Sequence, residues 1–162
     1  MKPVPAAVVD FLRTQGFVMV SSIDKNGFPH NSCKAVVKID PAGEIYLVDV
    51  YHGVTSGNID HNRRISISFV DEHKFSGYCL KGLARKVQDE AISQEMIKVW
   101  EDNITSRLTK RLLKNLVQGQ GQQHHPEASL PHPKHLIVLE VEEIVDLAPQ
   151  HLKGLPDGRQ GG

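Results

Sequence analysis

Apolar and polar residues alternate along much of this chain, and two stretches switch to a helical period. Phe17 to Ile23 and about His30 to Ile39 are strand-like, Glu44 to Asp49 alternates or nearly so, and Ile65 to Val70 alternates apolar and Ser residues. That is the pattern of strands with one face buried. Gly77 to Val87 and His135 to Val145 have the same strand character, and Gly82 inside the first of these marks a bulge or a close backbone approach. Asp24-Lys25-Asn26-Gly27 is a tight hairpin turn, because Asn-Gly accepts the positive φ angles such turns need. Asp40-Pro41-Ala42-Gly43 predicts a second turn.

Two stretches follow a helical period instead. Pro5 to Gln15 carries Val8, Val9, Phe11 and Leu12 and is closed by Gly16, which predicts a short helix with a glycine stop. From Asp89 onward Ile92, Met96, Val99, Trp100, Ile104, Leu108, Leu112 and Leu116 recur at spacings of three and four. This excursion (89–118) is either one helix or two divided at Asn103 to Ser106. The segment 118–134, rich in Gly, Gln, His and Pro, reads as a loop, and 151–162 as a flexible tail. About six antiparallel strands joined by hairpins favour a small closed barrel over a parallel α/β sheet. The expected fold is therefore mainly β (α+β), with flanking helices and one long helical insertion before the last strand. Residues 1–150 make a single domain.

Bulk numbers narrow the function without naming it. A chain of 162 residues with balanced formal charge can bury a sizeable core without disulfides or metal. Its pI of about 7.1 argues against general nucleic-acid binding, which shows as a basic excess. No signal peptide or membrane span is visible, so a soluble cytoplasmic protein is expected, with no membrane partner. Cys33 and Cys79 lie far apart, in no metal-ligand spacing and within strand-like runs, and are expected to be buried free thiols.

The run Gly53-Val54-Thr55-Ser56-Gly57-Asn58-Ile59 carries the clearest chemistry. A strand ends at Asp49, the backbone turns, and hydroxyl residues arrive where a short helix, ending near His61, should start. Free N–H groups and hydroxyls at a helix N-terminus suit a phosphate group. Helix capping without any ligand is the other reading of the same residues.

The order of elements and four motifs resemble the FMN-binding split-barrel family whose namesake is pyridoxamine 5′-phosphate oxidase. They are Gly27-Phe28-Pro29-His30 opening a strand, Ile45-Tyr46-Leu47-Val48-Asp49, Thr55-Ser56-Gly57-Asn58-Ile59 followed by Asn62-Arg63-Arg64-Ile65-Ser66, and Gly77-Tyr78-Cys79-Leu80-Lys81-Gly82. The similarity runs from Ala6 to Val87, with Leu136 to Leu147 as a weaker continuation. The resemblance implies a split-barrel homodimer with FMN at the subunit interface. It places the flavin edge near Ser32, Lys34 and Ala35, the ring beside Asp49 and Val50, and the phosphate near Val54, Thr55 and Ser56. Family members commonly carry Lys or Arg where this chain has Val54. Lys34, or a basic residue of the other subunit, would then supply that charge.

The remaining candidates each have a plainer alternative. Lys34 is a ligand contact or an outward-facing strand lysine, and Lys81 is more simply structural. Tyr51 and His52 line the pocket or belong to a surface turn. Arg107, Lys110, Arg111 and Lys114 make a basic stripe, either a solvated helix face or an arm reaching an anion. Trp100 reads as a core anchor ahead of a flavin-stacking platform. His124, His125, His132 and His135 match no zinc spacing, so no metal is expected. No nucleophile–base arrangement or paired acids stand out, and no catalytic residue is assigned. The expected function is an FMN flavoprotein, an oxidoreductase or electron carrier with an unidentified redox substrate. The alternative is a non-catalytic barrel holding haem, a deazaflavin or another anionic ligand. Asp146-Leu147-Ala148-Pro149-Gln150 lacks the arginine-bearing motif that a true pyridoxamine phosphate oxidase carries near its C-terminus.

Overall fold

The run from about His30 to Ile39, which the sequence presents as one strand, supplies both edges of the sheet. The structure is a computed structural model and describes residues 1–88, 92–117, 133 and 135–152. Strands β1 (Val18–Ile23), β2 (Pro29–Lys34), β3 (Val36–Asp40), β4 (Glu44–Val48), β5 (Arg64–Asp71), β6 (Ser76–Gln88) and β7 (His135–Asp146) form one seven-stranded antiparallel sheet. Their order is β2-β1-β5-β6-β7-β4-β3. Only Ala35 separates β2 from β3 in the chain, yet they lie at opposite edges. The sheet must therefore curl until its edges meet, as a split barrel.

This corrects the expected strand count. β2 pairs with β1 and β3 pairs with β4, so the chain changes partner at Ala35, whose carbonyl accepts the Val48 N–H. Val37 is an extra residue in the β3–β4 register, and such a bulge sharpens the bend. A second register shift falls at Lys81/Gly82 opposite β7, as the glycine predicted. A Cβ on Gly82 would collide with the backbone carbonyl oxygen of Glu140, so only glycine lets β6 and β7 approach there.

Inside the curl lies the main core, with Val20, Ile45, Leu47, Ile67, Leu80 and Leu139 almost wholly buried. Helix α1 (Ala6–Arg13) adds Val8, Val9 and Leu12 to it. Helix α2 (Val54–His61) adds Ile59, and its buried Asn58 donates to the Ser22 hydroxyl of β1 at 3.0 Å. Outside the curl, Ile92 and Trp100 pack on Ala35, Val37, Val48 and Leu136, which fixes helix α3 (Gln94–Val117) against β3, β4 and β7. The helix runs unbroken through Asn103 to Ser106. Its far half carries exposed Leu112 and Leu113.

One polar network ties β4 to its neighbours. The Tyr46 hydroxyl donates to Glu44 at 2.6 Å, and Arg85 of β6 donates to the same carboxylate at 2.8 Å. The Tyr46 hydrogen bond, then the Arg85 guanidinium, hold the Glu44 carboxyl below its ordinary value. Arg85 also pairs with Glu140 of β7 at 3.3 Å. Lys81 makes an exposed pair with Glu143 at 3.2 Å, a structural role. Cys33 is exposed, contrary to expectation, because edge strand β2 turns it away from the interior, while Cys79 is half-buried and both are free. Among the described residues no helix is long and apolar enough to cross a membrane. The anticipated loop through residue 132, with His124, His125 and His132, lies outside the described residues, as does the tail beyond residue 152.

Candidate functional site

The corner at Ala35 sets β2 beside the end of β4 and the start of α2, and a cleft of about 470 Å³ opens between them. Along β2 the alternation places His30, Ser32 and Lys34 at intervals of two, the spacing of one strand face. All three line the cleft. Val48, Asp49, Val50 and Tyr51 line it where β4 ends, and Gly53, Val54 and Thr55 where α2 begins. Trp100 and Arg107 of α3 close one side, with Phe17 at the start of β1.

The anticipated residues Ser32, Lys34, Ala35, Asp49, Val50, Val54 and Thr55 thus share one concave surface. Ser56 does not, being fully buried with its hydroxyl 3.2 Å from Nδ1 of His52. Tyr51 faces the cleft. His52 is not among the cleft-lining residues; its φ of 46° lies in the left-handed region and its ring centroid is 4.4 Å from that of His135. Few non-glycine residues adopt that backbone conformation.

Two polar pairs organise the cleft. Ser32 Oγ and Thr55 Oγ1 lie 2.9 Å apart, joining β2 to the first turn of α2. One hydroxyl hydrogen is spent on that bond, and the other is left for a further acceptor. Lys34 Nζ donates to Asp49 Oδ1 at 2.6 Å, and both side chains are buried, 9% and 4% exposed. The other carboxylate oxygen, Asp49 Oδ2, is buried with no hydrogen-bond partner among the described residues. Lys34 is therefore neither an outward-facing lysine nor an uncompensated charge, because Asp49 balances it inside the chain.

The residue at the N-cap of α2 is Gly53, so no side chain covers the helix end. The first N–H groups of a helix have no acceptor within it, and they attract negative charge. From the other side comes Arg107, whose guanidinium donates to the Gly16 carbonyl at 3.1 Å while lining the cleft. The basic stripe thus divides: Arg107 reaches the site, and Lys110, Arg111 and Lys114 are exposed. Trp100 is a core anchor, 4% exposed, that also walls the cleft. Among the described residues no group of three or more His, Cys, Asp or Glu could hold a metal ion.

Sequence reasoning missed Phe17, His30, Cys33 and Val48 as cleft residues. His30 was within reach, because it repeats the spacing of Ser32 and Lys34. Phe17 gave no signal, since its place at the rim depends on where α3 packs.

The sequence model of the pyridoxamine 5′-phosphate oxidase family matches residues 4–148. No curated protein matches the chain. Among solved structures, HupZ of Group A Streptococcus is 23% identical, with 89% of this chain and 94% of that one covered and a TM-score of 0.60. A Clostridium acetobutylicum protein related to general stress protein 26, of the pyridoxinephosphate oxidase family, is 16% identical over 88% and 92%, with a TM-score of 0.52. An F420 reductase is 15% identical over 88% and 98%, with a TM-score of 0.53. At these identities the likeness concerns the fold.

Proposed function

The chain belongs to the pyridoxamine 5′-phosphate oxidase family, and from that premise we propose that it is a cytoplasmic FMN-binding flavoprotein. It acts as an oxidoreductase or electron carrier, and as a homodimer with the cofactor at the subunit interface. The observation that carries this reading is the convergence, on one cleft, of the open N-terminus of α2, the Ser32–Thr55 hydroxyl pair and the Arg107 guanidinium. The cleft volume falls in the range of about 300–1,000 Å³ typical of small-molecule and cofactor sites.

The residues fit such a group. Val54 and Thr55 offer backbone N–H groups to a phosphate, the remaining hydroxyl hydrogen of the Ser32–Thr55 pair adds a donor, and Arg107 adds charge. Ala35, Val48, Val50 and Trp100 give the apolar wall that a planar ring requires. FMN supplies the redox chemistry when bound, and the protein supplies position and electrostatics. Phe17, Tyr51 and Val54 at the rim are 55%, 74% and 60% exposed, apolar surface that a second copy would cover. Free thiols at Cys33 and Cys79 suit a reducing compartment.

A second reading, a non-catalytic barrel for haem, a deazaflavin or another anionic ligand, draws on Val54, which leaves the helix end without the expected basic side chain. Absorbance of the freshly purified protein, followed by titration with FMN and riboflavin, separates the two. The expected result is a yellow protein. Thr55→Ala should weaken FMN by roughly ten- to a hundredfold, the worth of a hydrogen bond to a charged group. Riboflavin, which lacks the phosphate, should bind both proteins equally. A colourless protein that ignores FMN, or equal FMN affinity in both proteins, refutes the phosphate seat.

A further inference from the structure

We infer that the buried Lys34–Asp49 pair reads an imide edge: it selects, at the ring end of the cleft, a ligand that presents an N–H beside a carbonyl. The inference rests on the cleft being the flavin site, and it adds which atoms of the ring are recognised. Three observations carry it. The pair lies in the cleft wall, at 2.6 Å and almost wholly removed from water. The bond to Lys34 uses only one carboxylate oxygen, and Oδ2 has no partner among the described residues. The Lys34 ammonium has three hydrogens, of which this bond takes one.

An ionised carboxylate oxygen that is buried and unpaired is costly to the fold, because it has given up water without replacing it. Such an atom in a cleft wall asks for a donor from the ligand. The Cβ–Cγ torsion of Asp49 is soft, so its carboxylate can turn to meet a donor that the ligand offers without moving the backbone. The backbone is held by the Asp49 N–H bond to the His135 carbonyl at 2.9 Å. Beside that acceptor the ammonium stands as a donor. An acceptor next to a donor is the complement of an imide, whose N–H is flanked by C=O. The isoalloxazine ring of FMN carries one imide, on its pyrimidine rim. A ligand without that donor leaves the carboxylate oxygen unpaired, and specificity built on an unpaired buried group is larger than that built on lost contact area.

FMN and N3-methyl-FMN, which differ only at the imide nitrogen, test this by fluorescence titration. The proteins are the wild type and the double variant Lys34→Met/Asp49→Leu, which removes both charges together. Wild type should prefer FMN by roughly ten- to a hundredfold, the worth of a hydrogen bond to a charged acceptor. The double variant should bind the two ligands within about twofold of each other, its Asp49 acceptor being gone. Equal binding of both ligands by wild type overturns the inference and leaves the flavin assignment standing. A preference that persists in the double variant also overturns it, because the discrimination would then be steric. Failure of wild type to bind either ligand overturns the flavin assignment itself, and this inference with it.

Discussion

The Lys34–Asp49 pair gives the sharpest energetic test of the cleft, through a double-mutant cycle. Both side chains are under a tenth exposed and meet at 2.6 Å. Removing one partner leaves the other charge buried and uncompensated, which costs about 3–5 kcal/mol. Lys34→Met and Asp49→Leu should each lose that much. For a chain of this size, about 2–4 °C of melting temperature follows each kcal/mol, so each single variant should melt roughly 6–20 °C lower. The double variant replaces the pair with apolar side chains, which is often neutral or stabilising by about 1–4 kcal/mol. The two single losses should therefore fail to add, with a coupling energy of several kcal/mol. The assay is urea and thermal unfolding followed by far-UV circular dichroism, at one fixed protein concentration because the stability of the proposed dimer would depend on it. A solvent-exposed pair would be worth only about 0–1 kcal/mol. Single-variant losses below about 1 kcal/mol would refute the burial, and losses that add would refute the pairing.

Two further outcomes test the frame around the cleft. Gly82→Ala drives a methyl group into the Glu140 carbonyl at the β6–β7 register shift. A backbone atom cannot swing aside, so a loss near about 3 kcal/mol is expected in the same unfolding assay, and a loss under 1 kcal/mol would contradict the close approach. Glu44, its carboxyl held below the ordinary 4.5 first by Tyr46 and then by Arg85, contributes stability that is present above that value. As pH falls through its depressed value the contribution disappears. Wild type should therefore exceed Glu44→Gln in urea midpoint at pH 7, and the gap should close in acid. A gap independent of pH would show that the network does not hold the charged form.

The barrel could be read from the sequence because alternation, turn residues and the Gly82 interruption all act locally. The run from His30 to Ile39 could not be divided by the same means. β2 and β3 have the same strand period on both sides of Ala35, and what separates them is a change of partner strand, which the run itself does not encode. The cleft was legible in part. Thr55 follows the turn after β4, which punctuation in the sequence marks, whereas Ser32, Lys34 and Asp49 were expected at the cleft from the family resemblance. Ser56 escaped, since one residue further along a helix rotates a side chain by about 100°, here to a buried position beneath the exposed His52. Pairing of Lys34 with Asp49 was also invisible, because it spans the corner that the sequence does not show.

That pairing changes the electrostatic account of the cleft. A phosphate group brings up to two negative charges, and Lys34 was the nearest candidate to balance them once position 54 proved apolar. Its charge is cancelled by Asp49 at 2.6 Å, so the pair presents a dipole to the cleft and little net charge to the proposed phosphate seat. What remains at the phosphate end is the partial positive charge of an eight-residue helix and the Arg107 guanidinium, which also holds the Gly16 carbonyl. A doubly charged group held by these alone would stay largely in water's care, open to screening by salt. The rim meanwhile leaves Phe17, Tyr51 and Val54 more than half exposed, hydrophobic surface that a cofactor's polar tail would not cover. A second copy of the chain laid over the cleft meets both needs, burying the rim and lowering the dielectric around the phosphate so that each remaining donor counts for more. On the proposed homodimer, Val54 would be an interface residue, at the position where the family resemblance implies a cation. On that proposal, excluding water offsets the missing charge at position 54 by strengthening the contacts that Arg107 and the helix end can still make.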